Sequence, residues 1–243
     1  MPNKLITDRQ REVLLAVIMQ FMQEGVPVGS GSVASECDIG VSSATIRNEM
    51  VQLALSGFLS KSHSSAGRIP TDLGFRFFVK ELMDEASVTE VDEVNTRQSL
   101  FSERFDEESV VREALKYLSH ESKSTAVSLL GNVLRYQGAS NLLRYSELRD
   151  LDTIEGILDL LENKQLISKI FSRGAGDKVC IAIGEESEVG CLSKCSFVFS
   201  RLNYLGNKKG YISILGPRRM DYSRVIPAVR FIRDVVEESV RGW

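Results

Sequence analysis

The chain has 243 residues, 43% hydrophobic and 26% charged, with a formal net charge of −3. That composition is ordinary for a globular protein and excludes wholesale disorder and a uniformly basic nucleic-acid coat, so any DNA contact must come from a local patch. No apolar run approaches the roughly 20 residues of a membrane span. The start, Met1-Pro2-Asn3-Lys4, leads into no signal-peptide core, and Cys37, Cys180, Cys191 and Cys195 are too scattered for a disulfide scaffold. The expectation is a soluble cytoplasmic protein of one large or two small domains.

Thr7 and Gln10 are spaced as a capping box for a first helix, with Val13, Leu14, Val17, Ile18, Phe21 and Met22 as its apolar stripe and Gly25 and Pro27 as its stop. A short helix over Ser32–Cys37 follows, then a turn in which Gly40 supplies a positive φ. A further helix starts at Ser42 or Ser43, either of which can cap its first amides. Ile46, Met50 and Leu53 bury one stripe of it and leave Ser43, Ala44, Arg47, Asn48 and Gln52 on the other side. Such a front suits a recognition helix, because Arg pairs bidentately with guanine and Asn with adenine in the major groove. Phe58–Lys61 reads as a strand, followed by the Ser/Gly-rich loop Ser62–Arg68 with its cations. Helix, helix, recognition helix and cationic hairpin spell a winged helix; the alternative is a structural bundle with a solvated polar face. A last helix, from about Asp72 to Met83, carries Phe75, Phe78, Val79 and Leu82 on one face and closes the domain over residues 1–83.

Residues 84–109 are dominated by Asp and Glu, contain no Gly or Pro, and read as a partly helical connector. From 110 to 243 the pattern changes again. Val110, Val111, Ala114, Leu115 and Leu118 mark an amphipathic helix. One or two strands span Ser124–Tyr136, with a turn at Gly131-Asn132, and a helical stretch runs from Leu151 to Phe171. Further strands fall at Val179–Ile183 and Cys195–Tyr204, and a hairpin loop at Gly206–Gly210 leads into Tyr211–Leu215. A final helix from about Ser223 to Val240 carries Pro227 in its first turn. Strands flanked by helices make this an α+β domain.

Four blocks resemble the heat-inducible transcription repressor family, HrcA: VSSATIRNEM at Val41–Met50, SAGRIPTDLGFRF at Ser65–Phe77, GASNLL at Gly138–Leu143 and LGPRRMDYSRVI at Leu215–Ile226. The resemblance implies a GAF-like fold for the C-terminal domain, an inverted-repeat operator upstream of chaperone operons, and a chaperonin that maintains the active repressor. The family's usual member also carries a dimerisation domain inserted shortly before the GASNLL block. Here only about Ser124–Gln137 lies ahead of Gly138, too short for an independent domain.

The expected contacts to double-stranded DNA are base contacts from Arg47 and Asn48, phosphate or groove-edge contacts from Ser43 and Thr45, further support from Ser42 and Gln52, and wing contacts from Lys61, His63 and Arg68. Arg68 has a rival role, pinning the wing against the helix that begins near Asp72. An inverted repeat calls for a homodimer, and the acidic segment with Val110, Val111, Leu115 and Leu118 is the candidate pairing surface; the competing reading is that these residues finish the core of a monomer. No cofactor, metal or catalytic site is expected. Cys191 and Cys195 lack the ligand count and spacing of a zinc site, no P-loop, GxSxG or HExxH is present, and Arg218, Arg219 and Arg224 about Asp221, beside a helix start, read as a structural network that fixes the turn at Met220–Tyr222, with an anion site as the alternative. Two other readings compete, a regulator whose C-terminal domain senses a small molecule and an interaction protein that no longer binds an operator.

Overall fold

The computed structural model describes residues 6–37, 39–61, 67–174, 178–204 and 208–240. The chain divides into two compact units, Met1–Asp84 and Glu85–Trp243.

In the first unit, helix α1 (Asp8–Glu24) opens on the expected capping box: the Gln10 amide donates to Thr7 Oγ1 at 3.2 Å and the Thr7 amide to Gln10 Oε1 at 3.0 Å. It ends on Gly25 in the left-handed region. Helix α2 (Ser30–Glu36) starts two residues earlier than expected, and Gly40 turns the chain at φ +68°. Helix α3 (Ser43–Leu55) is capped by Ser42, whose hydroxyl accepts from the Thr45 amide at 3.2 Å. Strands β1 (Leu59–Lys61) and β2 (Arg68–Pro70) pair antiparallel, Lys61 opposite Arg68. Val28 adds a third rung through paired backbone bonds to Arg68, each 2.9 Å. Val13, Leu14, Val17, Ile18, Val33, Ile46, Met50, Leu53, Phe58 and Phe75 form the core. This is the winged helix-turn-helix expected from the pattern.

Helix α4 covers Asp72–Phe77 and then widens into a π turn over Phe78–Leu82 rather than continuing as one α-helix to Met83. Its Gly74 lies against the Phe58 carbonyl, and Gly67 lies against Pro27. In both places a side chain would collide with backbone or ring, so glycine is required by close approach.

The second unit is a GAF-like α+β domain. The stretch read as a connector contains helix α5 (Glu90–Ser102), which packs on α6 (Glu107–Ser122) and α9 (Tyr222–Val240) inside this unit. Strands β3 (Thr125–Leu130), β4 (Val133–Gln137), β5 (Cys180–Ile183), β6 (Cys195–Tyr204) and β7 (Lys208–Pro217) form one antiparallel sheet in the order β4-β3-β7-β6-β5. Gly131 makes the β3–β4 turn at φ +55°, whereas Gly206 and Asn207 of the expected hairpin loop lie outside the described residues. Helices α6 and α9 cover one face of the sheet. The other face is filled by side chains from α7 (Leu151–Glu162), α8 (Lys164–Phe171) and the turns between: Leu142, Leu148, Ile157, Leu161, Ile167 and Ile170 surround Phe171, which packs on Phe197, Phe199 and Tyr211 with ring centroids 5.1–5.9 Å apart.

Two expectations need correction. Val110, Val111, Leu115 and Leu118 do not offer a pairing surface, because all four are buried in the core that α6 makes with the sheet and α9. Pro227 is not in the first turn of its helix, since α9 begins at Tyr222. Its missing amide leaves the Ser223 carbonyl without an i+4 donor, and the Ala86 amide takes that place at 2.9 Å.

Candidate nucleic-acid interface

Helix α3 presents a continuous exposed front because its buried residues recur every three or four positions. Ile46, Met50 and Leu53 face the core, while Ser43, Ala44, Arg47, Asn48 and Gln52 are exposed. Asn48 follows Arg47 directly, so the two side chains splay about 100° apart around the front rather than stacking. Neither takes a hydrogen bond or ion pair among the described residues. The front holds no carboxylate; Glu49 is half-buried on its flank. Arg47, Asn48 and the first-turn amides therefore present donors without local anionic competition.

Ser42 and Thr45 stand differently. The Ser42 hydroxyl is committed to capping, and its Oγ lies 3.1 Å from Thr45 Oγ1, with Thr45 half-buried. Both therefore shape the start of α3. Val51 and Leu55, absent from the expected contacts, continue the same front, and Leu55 is the more exposed of the two. Their spacing signals it, since they lie four and eight residues beyond Arg47.

In the hairpin, antiparallel partners project to one side of the ribbon, so Lys61 and Arg68 share a face. Lys61 is exposed, and Arg68 is half-buried because its strand is hemmed by Val28 as well as β1. The Arg68 guanidinium donates to the Gly67 carbonyl at 3.4 Å, and its Nε is buried without a partner among the described residues. No bond from Arg68 to α4 supports the pinning role among the described residues. His63 lies outside them.

The remaining motif residues hold the scaffold. Asn141 of the GASNLL block donates to Ser119 Oγ and the Ser124 carbonyl, each at 3.1 Å. Tyr222, fully buried, bonds Ser196 Oγ at 2.8 Å and the Arg218 carbonyl at 2.7 Å. Arg219 pairs with Glu147 at 2.6 Å, and Arg224 approaches Asp221 at 4.0 Å. Burial pushes the Cys195 thiol up to about 12 and also raises Cys191, whose Sγ donates to the Gly156 carbonyl at 3.4 Å. Among the described residues no group of His, Cys, Asp and Glu is gathered as a metal site, and no helix is long and apolar enough to cross a membrane.

The family model "HrcA protein C terminal domain" matches residues 74–226. The heat-inducible transcription repressor HrcA of Moorella thermoacetica is 25% identical over an alignment of 335 positions, covering 96% of this chain and 97% of the relative. The repressor of the same name from Ruminiclostridium cellulolyticum is 24% identical over 340 positions, with 97% and 98% covered. Both alignments run longer than 243 residues can fill, so these relatives carry segments without a counterpart here. A crystal structure of a hypothetical protein superposes with a TM-score of 0.78 at 18% identity, over 98% of this chain and 99% of that one. At that identity the likeness speaks for the fold alone.

Proposed function

Because this chain belongs to the HrcA family, we propose that it is a sequence-specific DNA-binding repressor that acts in the cytoplasm as a homodimer on an inverted-repeat operator upstream of chaperone operons. The observation that carries this reading is the front of α3, where Ser43, Ala44, Arg47, Asn48 and Gln52 stand exposed and free of carboxylates. In the proposed complex Arg47 and Asn48 read base edges in the major groove. Ser42 and Thr45 hold the helix start, and Ser43 and Gln52 reach the flanking backbone. Lys61, Arg68 and His63 set the wing on phosphates.

Repression of this kind needs no catalytic group. Small-molecule sensing by the second unit is disfavoured by the packed aromatic cluster around Phe171 on the sheet face that a ligand would have to open. Chaperonin coupling is carried over from the family: loss of free chaperonin on heating would lower the active repressor.

An electrophoretic shift at fixed salt tests the reading. The protein should retain a chaperone-operon inverted repeat well above random DNA. Arg47→Ala should weaken operator binding by about 1–3 kcal/mol and random-DNA binding by less. Equal affinity of the unaltered protein for both DNAs rejects the proposal, and equal losses in Arg47→Ala reassign that residue to phosphate.

A further inference from the structure

The exposed front of α3 is not polar throughout. With the helix turning about 100° per residue, Val51, Ala44 and Leu55 stand about 40°, 60° and 80° round from Arg47, and Asn48 about 100°. An apolar line therefore runs down the middle of the front, with Ser43 and Arg47 on one side and Asn48 and Gln52 on the other. Ala44 is exposed, and Val51 and Leu55 are 38 and 77% exposed. The core makes no use of this line, because Ile46, Met50 and Leu53 point the other way.

We propose that Ala44 and Val51 read thymine, each by contact with the 5-methyl group in the major groove, at base pairs that bracket those met by Arg47 and Asn48. The inference rests on the DNA reading above and assigns bases that reading leaves open.

Three observations choose thymine. First, the line is too narrow for a partner helix. It covers about 40° of the circumference, whereas a helix that packs on protein presents an apolar stripe of about 100° or more. Second, its surroundings suit a polyanion. Arg47 and Asn48 flank it without a hydrogen bond or ion pair among the described residues, Glu49 is half-buried to the side, and the front itself carries no carboxylate. Third, thymine alone shows an apolar group in the major groove, where the other bases present hydrogen-bonding edges. Val51 pressed on such an edge would strand a donor or acceptor away from water. Against a methyl group it buries apolar surface on both sides.

Position along the axis separates the members of the line. Ala44 lies about one turn before the Arg47–Asn48 pair and Val51 about one turn after it, so a helix entering N-terminus first brings both to base edges. Leu55 stands about 16 Å along the axis from Ala44 and is carried away from the groove floor.

The test replaces thymine by uracil, which keeps the pairing and every hydrogen-bonding group and removes only the methyl. Fluorescence anisotropy at fixed salt reads binding of the full chain to a chaperone-operon inverted repeat, with each thymine of one half-site replaced in turn. Two positions should each lose about fourfold in affinity, the value of one buried methyl group. Val51→Ala should lose about fourfold on the unmodified operator and become indifferent to uracil at one of those positions, while staying sensitive at the other. Its affinity for random DNA should match that of the unaltered protein, which also reports that the domain is folded. Leu55→Ala should keep both sensitivities. Uracil tolerated at every position overturns the inference and leaves the DNA reading standing. So does Val51→Ala that remains sensitive at both positions, and so does one that binds the operator as tightly as the unaltered protein, a result that gives the apolar line to a protein partner instead. An unaltered protein that holds the operator no better than random DNA overturns the DNA reading, and this inference falls with it.

Discussion

Replacing Gly74 by alanine sets two effects of opposite sign against each other. Within a helix, Gly→Ala ordinarily gains up to about 1 kcal/mol. In this protein, an added Cβ would stand 2.3 Å from the Phe58 carbonyl oxygen, where contacts under 3.0 Å are essentially never seen. The carbonyl must therefore retreat by at least ~0.7 Å. It now accepts from the Thr71 amide and from Thr71 Oγ1, each at 3.1 Å. A retreat of that size away from α4 carries both beyond hydrogen-bond range, at about 0.5–1.5 kcal/mol apiece. Overpacking adds about 1–3 kcal/mol, since Phe58 is buried edge-on against Phe77 at 5.2 Å and cannot move freely. The steric effect wins, and Gly74→Ala should destabilise the first unit by about 2–4 kcal/mol. Denaturant titration followed by circular dichroism, fitted with separate transitions for the two units, reads this directly. Because Phe58 immediately precedes β1 of the hairpin, operator affinity should fall as well. Unchanged or increased stability would refute the argument and show that the hairpin yields without strain.

Lys61→Ala should flatten the salt dependence of operator binding by about one unit in a log–log plot, while an unchanged slope removes Lys61 from the phosphate contacts. Ser42→Ala, which deletes the cap of α3, should cost about 0.5–2 kcal/mol in thermal or chemical unfolding of the first unit; no loss would mean the helix start is held by other contacts. Tyr222→Phe should cost the second unit about 1–3 kcal/mol, because the buried Ser196 hydroxyl and Arg218 carbonyl lose their partner. An unaltered melting temperature would refute that. Lys194 and Thr153 hold the Asp150 carboxyl at about 2, and Arg230 lowers Glu85. The stability these carboxylates contribute is therefore complete above their ordinary values of 3.8 and 4.5 and drains away as pH falls through the lowered ones. Acid melts of Asp150→Asn should show a shallower decline than the unaltered protein below about pH 4; coincident curves would remove Asp150 from the acid response.

Local rules, complete within a few residues, let the sequence by itself determine the first three helices. A capping box at Thr7, a left-handed Gly25 and a buried stripe of Ile46, Met50 and Leu53 need nothing from afar. The exposed front of α3 follows from that same stripe, so the outward placement of Arg47 and Asn48 is legible in the residue pattern alone. Tertiary packing decided the rest. Spacing marks Val110, Val111, Leu115 and Leu118 as one apolar face and cannot say whether core or partner covers it; the sheet and α9 do. The exposure of Val91, Val94 and Phe101 on α5 emerges only once Leu100 takes the inward position. Gly67 and Gly74 are required by approaches to Pro27 and Phe58, and Pro227 is tolerated because the Ala86 amide reaches the carbonyl it strands. Each of these depends on residues far apart in the chain meeting in space, which no local pattern encodes.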